Sequence, residues 1–148
     1  KKNDWFLFTF VREPKDLICS LWCFAVEKES EKNPFKLVEL DIKNMSIDAF
    51  VNEMLRPENL ILWSIPYWIV QLDFVKEFND ENFGHFLETY FSHKYKIKPR
   101  SNTSSNKGWD YYVSEGLIKQ ETVDRFENHH EYKRWLRLKD NNFEDLGE

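Results

Sequence analysis

Glycine is scarce in this chain. The 148 residues hold four, Gly84, Gly108, Gly116 and Gly147, and none stands in a run of Gly, Ser, Thr and Lys of the kind that wraps a phosphate. These residues therefore carry no glycine-rich phosphate loop of their own. Cysteine is also scarce. Cys19 and Cys23 are four positions apart, so on a helix they share a face and their bond vectors run parallel. That arrangement is a poor disulfide or metal pair and reads as two structural thiols. No apolar run reaches membrane-spanning length and no secretory signal is visible. An excess of positive charge is missing as well. The net charge of −5 argues against a broad nucleic-acid-binding surface, though basic groups can still gather locally around an anion.

Apolar residues make up 41% of the chain and aromatic residues 17%, six of them tryptophans. That is enough for one core, and the length suits a single domain spanning 1–148. Surplus aromatic rings can stack on a sugar or a base. Trp5 to Val11 (WFLFTFV) is an almost unbroken apolar run, which predicts a strand buried on both faces, as in a parallel sheet. Pro14 suits the first turn of a helix that continues from Lys15 to Lys32, with Leu17, Ile18, Leu21, Trp22 and Ala25 as its apolar stripe. Glu27, Glu29 and Glu31 read as its solvated end. Ser46 is placed to cap a helix over Ile47 to Leu55, with Ile47, Phe50, Val51 and Met54 on one face. Leu60 to Trp63, between Pro57 and Pro66, forms a short helical or irregular connector.

Trp68 to Val75 (WIVQLDFV) is rich in β-formers and predicts a second strand. Asp80 is placed to cap a helix from Glu81 to Ser92, with Phe83, Phe86, Leu87 and Tyr90 inward. Pro99 to Lys107 is polar and reads as a loop. One long helix is predicted from Gln120 to Lys139, with a frayed acidic end over Asp140 to Glu148. Strands alternating with helices indicate an α/β layer architecture with a central, mostly parallel sheet flanked by helices. Two strands are few for such a fold. Together with the abrupt apolar opening after Asp4, this leads us to expect a further upstream piece.

Chemistry concentrates where the first strand ends. Val11 is followed at once by Arg12, then by Glu13-Pro14 and a helix, with Ser20 eight residues beyond the arginine. Ligands of open α/β sheets bind beyond the carboxyl ends of strands, helix starts attract anions, and a guanidinium fork suits a phosphate. A strand-end salt bridge for Arg12 and a packing role for Ser20 are the plainer alternatives. The four histidines add little. His129-His130 is adjacent rather than i, i+4 and makes a poor metal pair, while His85 and His93, at the start and end of the third helix or its flank, are each candidate bases, with a surface position the plainer reading for His85. No metal site is predicted.

The pattern strand–Arg-x-Pro-x-x-x-x-x-Ser resembles the 3′-phosphate-binding motif of sulfotransferases that use 3′-phosphoadenosine 5′-phosphosulfate (PAPS). The resemblance implies that Arg12 and Ser20 hold that phosphate. Leu17 stands where the family often has a second arginine. Leu72 to Phe78 (LDFVKEF) resembles the family's later strand and turn in its apolar frame. Ser101 to Trp109 (SNTSSNKGW) resembles the loop that wraps the nucleotide in carbohydrate-type members. There Ser104, Ser105, Lys107 and Gly108 supply hydroxyls, an ammonium and backbone amides. The resemblance covers nearly the whole chain in order and implies a P-loop-like fold, of which these residues are the C-terminal portion. It also implies sulfuryl transfer from PAPS, leaving 3′-phosphoadenosine 5′-phosphate (PAP), to a hydroxyl or amine of a carbohydrate or small metabolite. In the family the lysine that supports the leaving phosphate, and often the catalytic base, lie in the part absent here. A non-catalytic α/β nucleotide-binding or protein-interaction module is the alternative. Two sequons, Asn44-Met45-Ser46 and Asn102-Thr103-Ser104, bear on compartment. A glycan on Asn102 would obstruct the cofactor loop, which favours a reducing, non-glycosylating cytoplasm.

Overall fold

In the computed structural model the described residues are 5–27, 41–94 and 106–144. The chain is α/β and mostly helical. In order it forms β1 (Phe8–Val11), α1 (Pro14–Glu27), α2 (Ile47–Met54), β2 (Phe74–Glu77), α3 (Asp80–Phe91), α4 (Trp109–Ser114), α5 (Gln120–Glu127) and α6 (His130–Asp140). Three 3-10 segments, Ile42–Asn44, Pro57–Leu62 and Tyr67–Gln71, join them. The chain divides into two compact units. One takes Lys1–Glu13, Ile65–Asn102 and Leu136–Glu148, and the other takes Pro14–Ser64 and Thr103–Trp135.

The first unit holds the sheet. β1 and β2 run parallel, with Phe8 opposite Phe74 and Val11 opposite Glu77. The Leu7 carbonyl accepts from the amides of Asp73 and Phe74 at 2.8 and 3.2 Å, and the Asp73 carboxylate accepts from the Leu7 N–H at 2.8 Å. Alternate side chains of a strand share a face. Phe8 and Phe10 accordingly meet Phe86 of α3, with ring centroids 4.6 and 5.3 Å apart. Phe6 joins the same cluster through Tyr90 at 4.9 Å.

The expected strand from Trp5 is shorter than the sequence indicates. Pairing begins at Phe8, and Trp5 and Phe8 stay 66% and 46% exposed, so the run is not buried on both faces. Among the described residues β1 has a strand on one side only, and α3 covers one of its faces. The second strand is displaced. Tyr67–Gln71 forms a 3-10 helix entered from Pro66, and extended pairing starts at Phe74, where the ladder to Phe8 begins. The fixed φ of Pro66 and the register with β1 override the β-forming composition of Trp68 to Val70. α3 is capped by Asn79, one residue before the expected Asp80, through an Asn82 N–H bond of 2.7 Å. Only Phe86 on this helix is buried, and Tyr90 is 49% exposed.

In the second unit α1 opens on Pro14, as its missing N–H allows. Its buried face is Ile18, Cys19 and Cys23, rotated from the expected stripe, of which only Ile18 is buried. Neither cysteine forms a disulfide, and the Cys23 thiol donates to Glu27 Oε1 at 3.4 Å. α2 matches its sequence reading closely. The Ser46 hydroxyl accepts from the Ala49 N–H at 3.2 Å, and Ile47, Phe50, Val51 and Met54 are all buried. The connector is the 3-10 segment Pro57–Leu62. The Trp63 that follows it donates its indole N–H to the Met54 carbonyl at 2.6 Å.

The single helix expected over Gln120 to Lys139 is two helices. α5 stops at Glu127, where Asn128 turns its amide back to the Asp124 carbonyl at 2.8 Å. His129 Nδ1 then accepts from the Glu131 N–H at 3.1 Å and caps α6. Side chains that bond the local backbone compete with helix continuation, and here two in succession win. α4 was not anticipated. Nor is the segment after Asp140 frayed throughout, since Phe143 is buried. The expected continuation of α1 to Lys32, the Tyr95 to Lys98 segment and most of the polar loop lie outside the described residues.

Phe126 centres the second unit's aromatic core, completely buried against Trp63, Trp109 and Tyr132 at centroid distances of 5.3, 5.1 and 4.7 Å. Phe126→Ala should lower unfolding stability by about 3–5 kcal/mol in a denaturant titration, and a loss under about 1 kcal/mol would contradict this packing. Cys19 and Cys23 should resist alkylation in the native chain, and both should react, without reductant, once it is unfolded.

Candidate functional site

The residues singled out by sequence fall in both units. Arg12 belongs to the first, exposed and directly after the last residue of β1. Ser20 belongs to the second, half-buried in the middle of α1. Ser104 and Ser105 lie outside the described residues, whereas Lys107 and Gly108 are described and precede α4.

The structure brings Ser20 together with the end of the polar loop. Asn106 Nδ2 donates to Ser20 Oγ at 3.3 Å, across a sequence separation of 86 residues. The other end of the same carboxamide organises the loop, because Asn106 Oδ1 accepts from the Gly108 N–H at 3.0 Å and from the Tyr112 hydroxyl at 3.3 Å. The Tyr112 oxygen in turn accepts from the Lys107 N–H at 3.3 Å. Trp22 of α1 meets the Tyr112 ring edge-on at 5.9 Å and is itself held by a 2.9 Å bond from its indole N–H to the Met45 carbonyl. One asparagine thus fixes α1, the loop and α4 to each other.

Local backbone chemistry explains the turn. Gly108 sits at φ +91°, a region that favours glycine, and stands just before the helical Trp109. Burial pushes the Tyr112 phenol above its ordinary value. The Lys107 amide opposes that shift, and Cys23, Cys19 and Glu27 add to it. The phenol therefore keeps its proton at neutral pH and stays a donor to Asn106. Lys107 is exposed, with its ammonium 4.9 Å from the Tyr111 ring centroid.

Lys15, in the first turn of α1, is held from several sides. Its ammonium lies 5.3 Å from the Trp109 ring and 5.2 Å from the Tyr132 ring, and 3.4 Å from Glu127 Oε1. Burial pulls its pKa down, but Tyr132 and Glu127 more than offset this and leave it above the ordinary lysine value. The start of α1 is thereby fastened to the helices that follow the loop.

Sequence reasoning missed Asn106, Tyr112 and Lys15. Asn106 had a signal, since Asn-Lys-Gly just before a helix allows an asparagine to bond the second backbone N–H onward. Lys15 had none, because its partners are more than ninety residues away. The donors in this part of the second unit, a hydroxyl, an amide and an exposed ammonium, are suited to an anion. Among the described residues no group of three or more His, Cys, Asp or Glu is placed to hold a metal ion. No helix there is long and apolar enough to cross a membrane.

Tyr112→Phe removes one donor and one acceptor from the network and should cost about 1–2 kcal/mol in a denaturant titration. Gly108→Ala meets no atom within 4 Å, so its cost should be the backbone strain alone, about 1 kcal/mol. A neutral Tyr112→Phe would show that the loop is held by other means. No family model, curated protein or solved structure matches the chain.

Proposed function

We propose that this chain belongs to a PAPS-dependent sulfotransferase with a P-loop-like fold, acting on a hydroxyl or amine of a carbohydrate or small metabolite. The observation that carries the reading is the Asn106–Ser20 hydrogen bond. Ser20 belongs to the segment that resembles the 3′-phosphate motif, and Asn106 to the segment that resembles the nucleotide-wrapping loop. The two segments lie far apart in sequence, and a residue of each meets the other.

The donor set fits the anionic nucleotide. Under the resemblance Arg12 and Ser20 take the 3′-phosphate, through a guanidinium fork and a hydroxyl. Ser104, Ser105, Lys107 and the Gly108 backbone contribute to the wrapping loop. PAPS supplies the reactive sulfuryl group: the acceptor oxygen or nitrogen bonds to sulfur, the sulfur–phosphate oxygen bond breaks, and the acceptor proton passes to a base. The residues of this chain bind and orient the nucleotide, and positioning carries much of the rate in such in-line transfers. Cys19 and Cys23, one turn apart on α1, suit a reducing cytoplasmic setting.

Isothermal titration calorimetry with PAP tests the reading. The parent chain should bind it, Arg12→Ala should weaken binding at least about tenfold, and Ser20→Ala should cost about 1 kcal/mol. Equal affinity of Arg12→Ala and the parent would refute the motif assignment. Binding of PAP with no sulfuryl transfer, once the full-length protein is assayed, would favour the non-catalytic nucleotide-binding module.

A further inference from the structure

The corner between α5 and α6 rests on a hydrogen bond that one proton can break. Glu131 donates its backbone N–H to His129 Nδ1 at 3.1 Å, so this nitrogen must be unprotonated and the ring neutral for the bond to exist. The neutral tautomer with its proton on Nε2 leaves Nδ1 free to accept this bond. The indole of Trp63 packs against the imidazole in a T-shaped contact at 5.6 Å.

The charged and titratable groups around His129 are on α6. The His130 ring stacks on it with centroids 4.5 Å apart, and its charge opposes a proton on His129. The buried Glu131 carboxylate favours a charged His129, but it is already engaged. Its Oε2 takes Arg134 Nη2 at 3.1 Å and Nε at 3.3 Å, and its Oε1 lies 3.5 Å from His130 Nε2. Beyond α6, the Leu55 backbone opposes the lowering of the ring's pKa and the Trp63 ring packs against it.

We propose that His129 is an acid-sensitive latch on the first turn of α6: the neutral ring caps the helix, and the protonated ring releases the cap. Burial, then His130, hold the pKa of His129 below its ordinary 6.5, against the smaller opposing pull of the Leu55 bond and Glu131. The folded chain therefore binds this proton less readily than the unfolded chain. The stabilisation is complete above the unfolded value of 6.5 and is lost as pH falls from there through the lower folded value.

Amide exchange followed by NMR tests the latch. In the parent chain, protection of the Glu131 amide should fall severalfold more than the intrinsic exchange rate explains between about pH 7.5 and 5.5. His129→Asn keeps a capping acceptor that does not titrate, and its Glu131 protection should stay constant within about twofold over that range. His130→Gln should retain the loss, because the cap is not its own. Equal acid-induced loss in the parent and in His129→Asn overturns the proposal, as does no loss in the parent. Should His129→Asn not fold, the imidazole ¹⁵N shifts of the parent decide the matter: the proton must sit on Nε2 at neutral pH, and a proton on Nδ1 excludes the latch.

Discussion

The burial of Phe126 is the constraint on which the second unit depends. Its ring is fully enclosed and touches Trp63, Trp109 and Tyr132, which belong to three different segments. Trp109 is the first residue of α4 and follows Gly108 directly, so the packing that buries Phe126 also sets where the loop enters its helix. Tyr132 and Trp109 then form the aromatic walls around the Lys15 ammonium, which fastens the beginning of α1. A hydrophobic contact thus fixes the position of polar chemistry. Aromatic rings suit that task because they bury large areas with little loss of side-chain freedom.

Where a short-range signal is strong, the sequence is a good guide. Ser46 caps α2 and its Ile-Phe-Val-Met face is buried as the spacing requires, because cap and period act within one helix. That Cys19 and Cys23 form no disulfide follows from the same local geometry. The strand ending at Val11 and the helix opening at Pro14 are likewise legible, and they place Arg12 at the junction.

Elsewhere the deciding contacts lie beyond any local window. Trp68 to Val70 have the composition of a strand, yet β2 starts at Phe74 because the ladder with Phe8 sets the register. The α5–α6 corner depends on two side chains, Asn128 and His129, that spend their bonds on the backbone, and a period-based reading passes over them. At the candidate site the sequence singled out Ser20, Lys107 and Gly108 but not the residue that joins them. Asn106 acts through partners on both sides of the chain, and only the folded arrangement brings Ser20 within reach of its amide.

The account turns on α1 around Ser20 and the loop at Asn106 responding together to one nucleotide. Hydrogen-exchange mass spectrometry with and without PAP reads this directly. Slower exchange in peptides covering both 14–22 and 106–112 is the predicted result. Unchanged exchange in both, at PAP concentrations that saturate any binding seen by calorimetry, would contradict it.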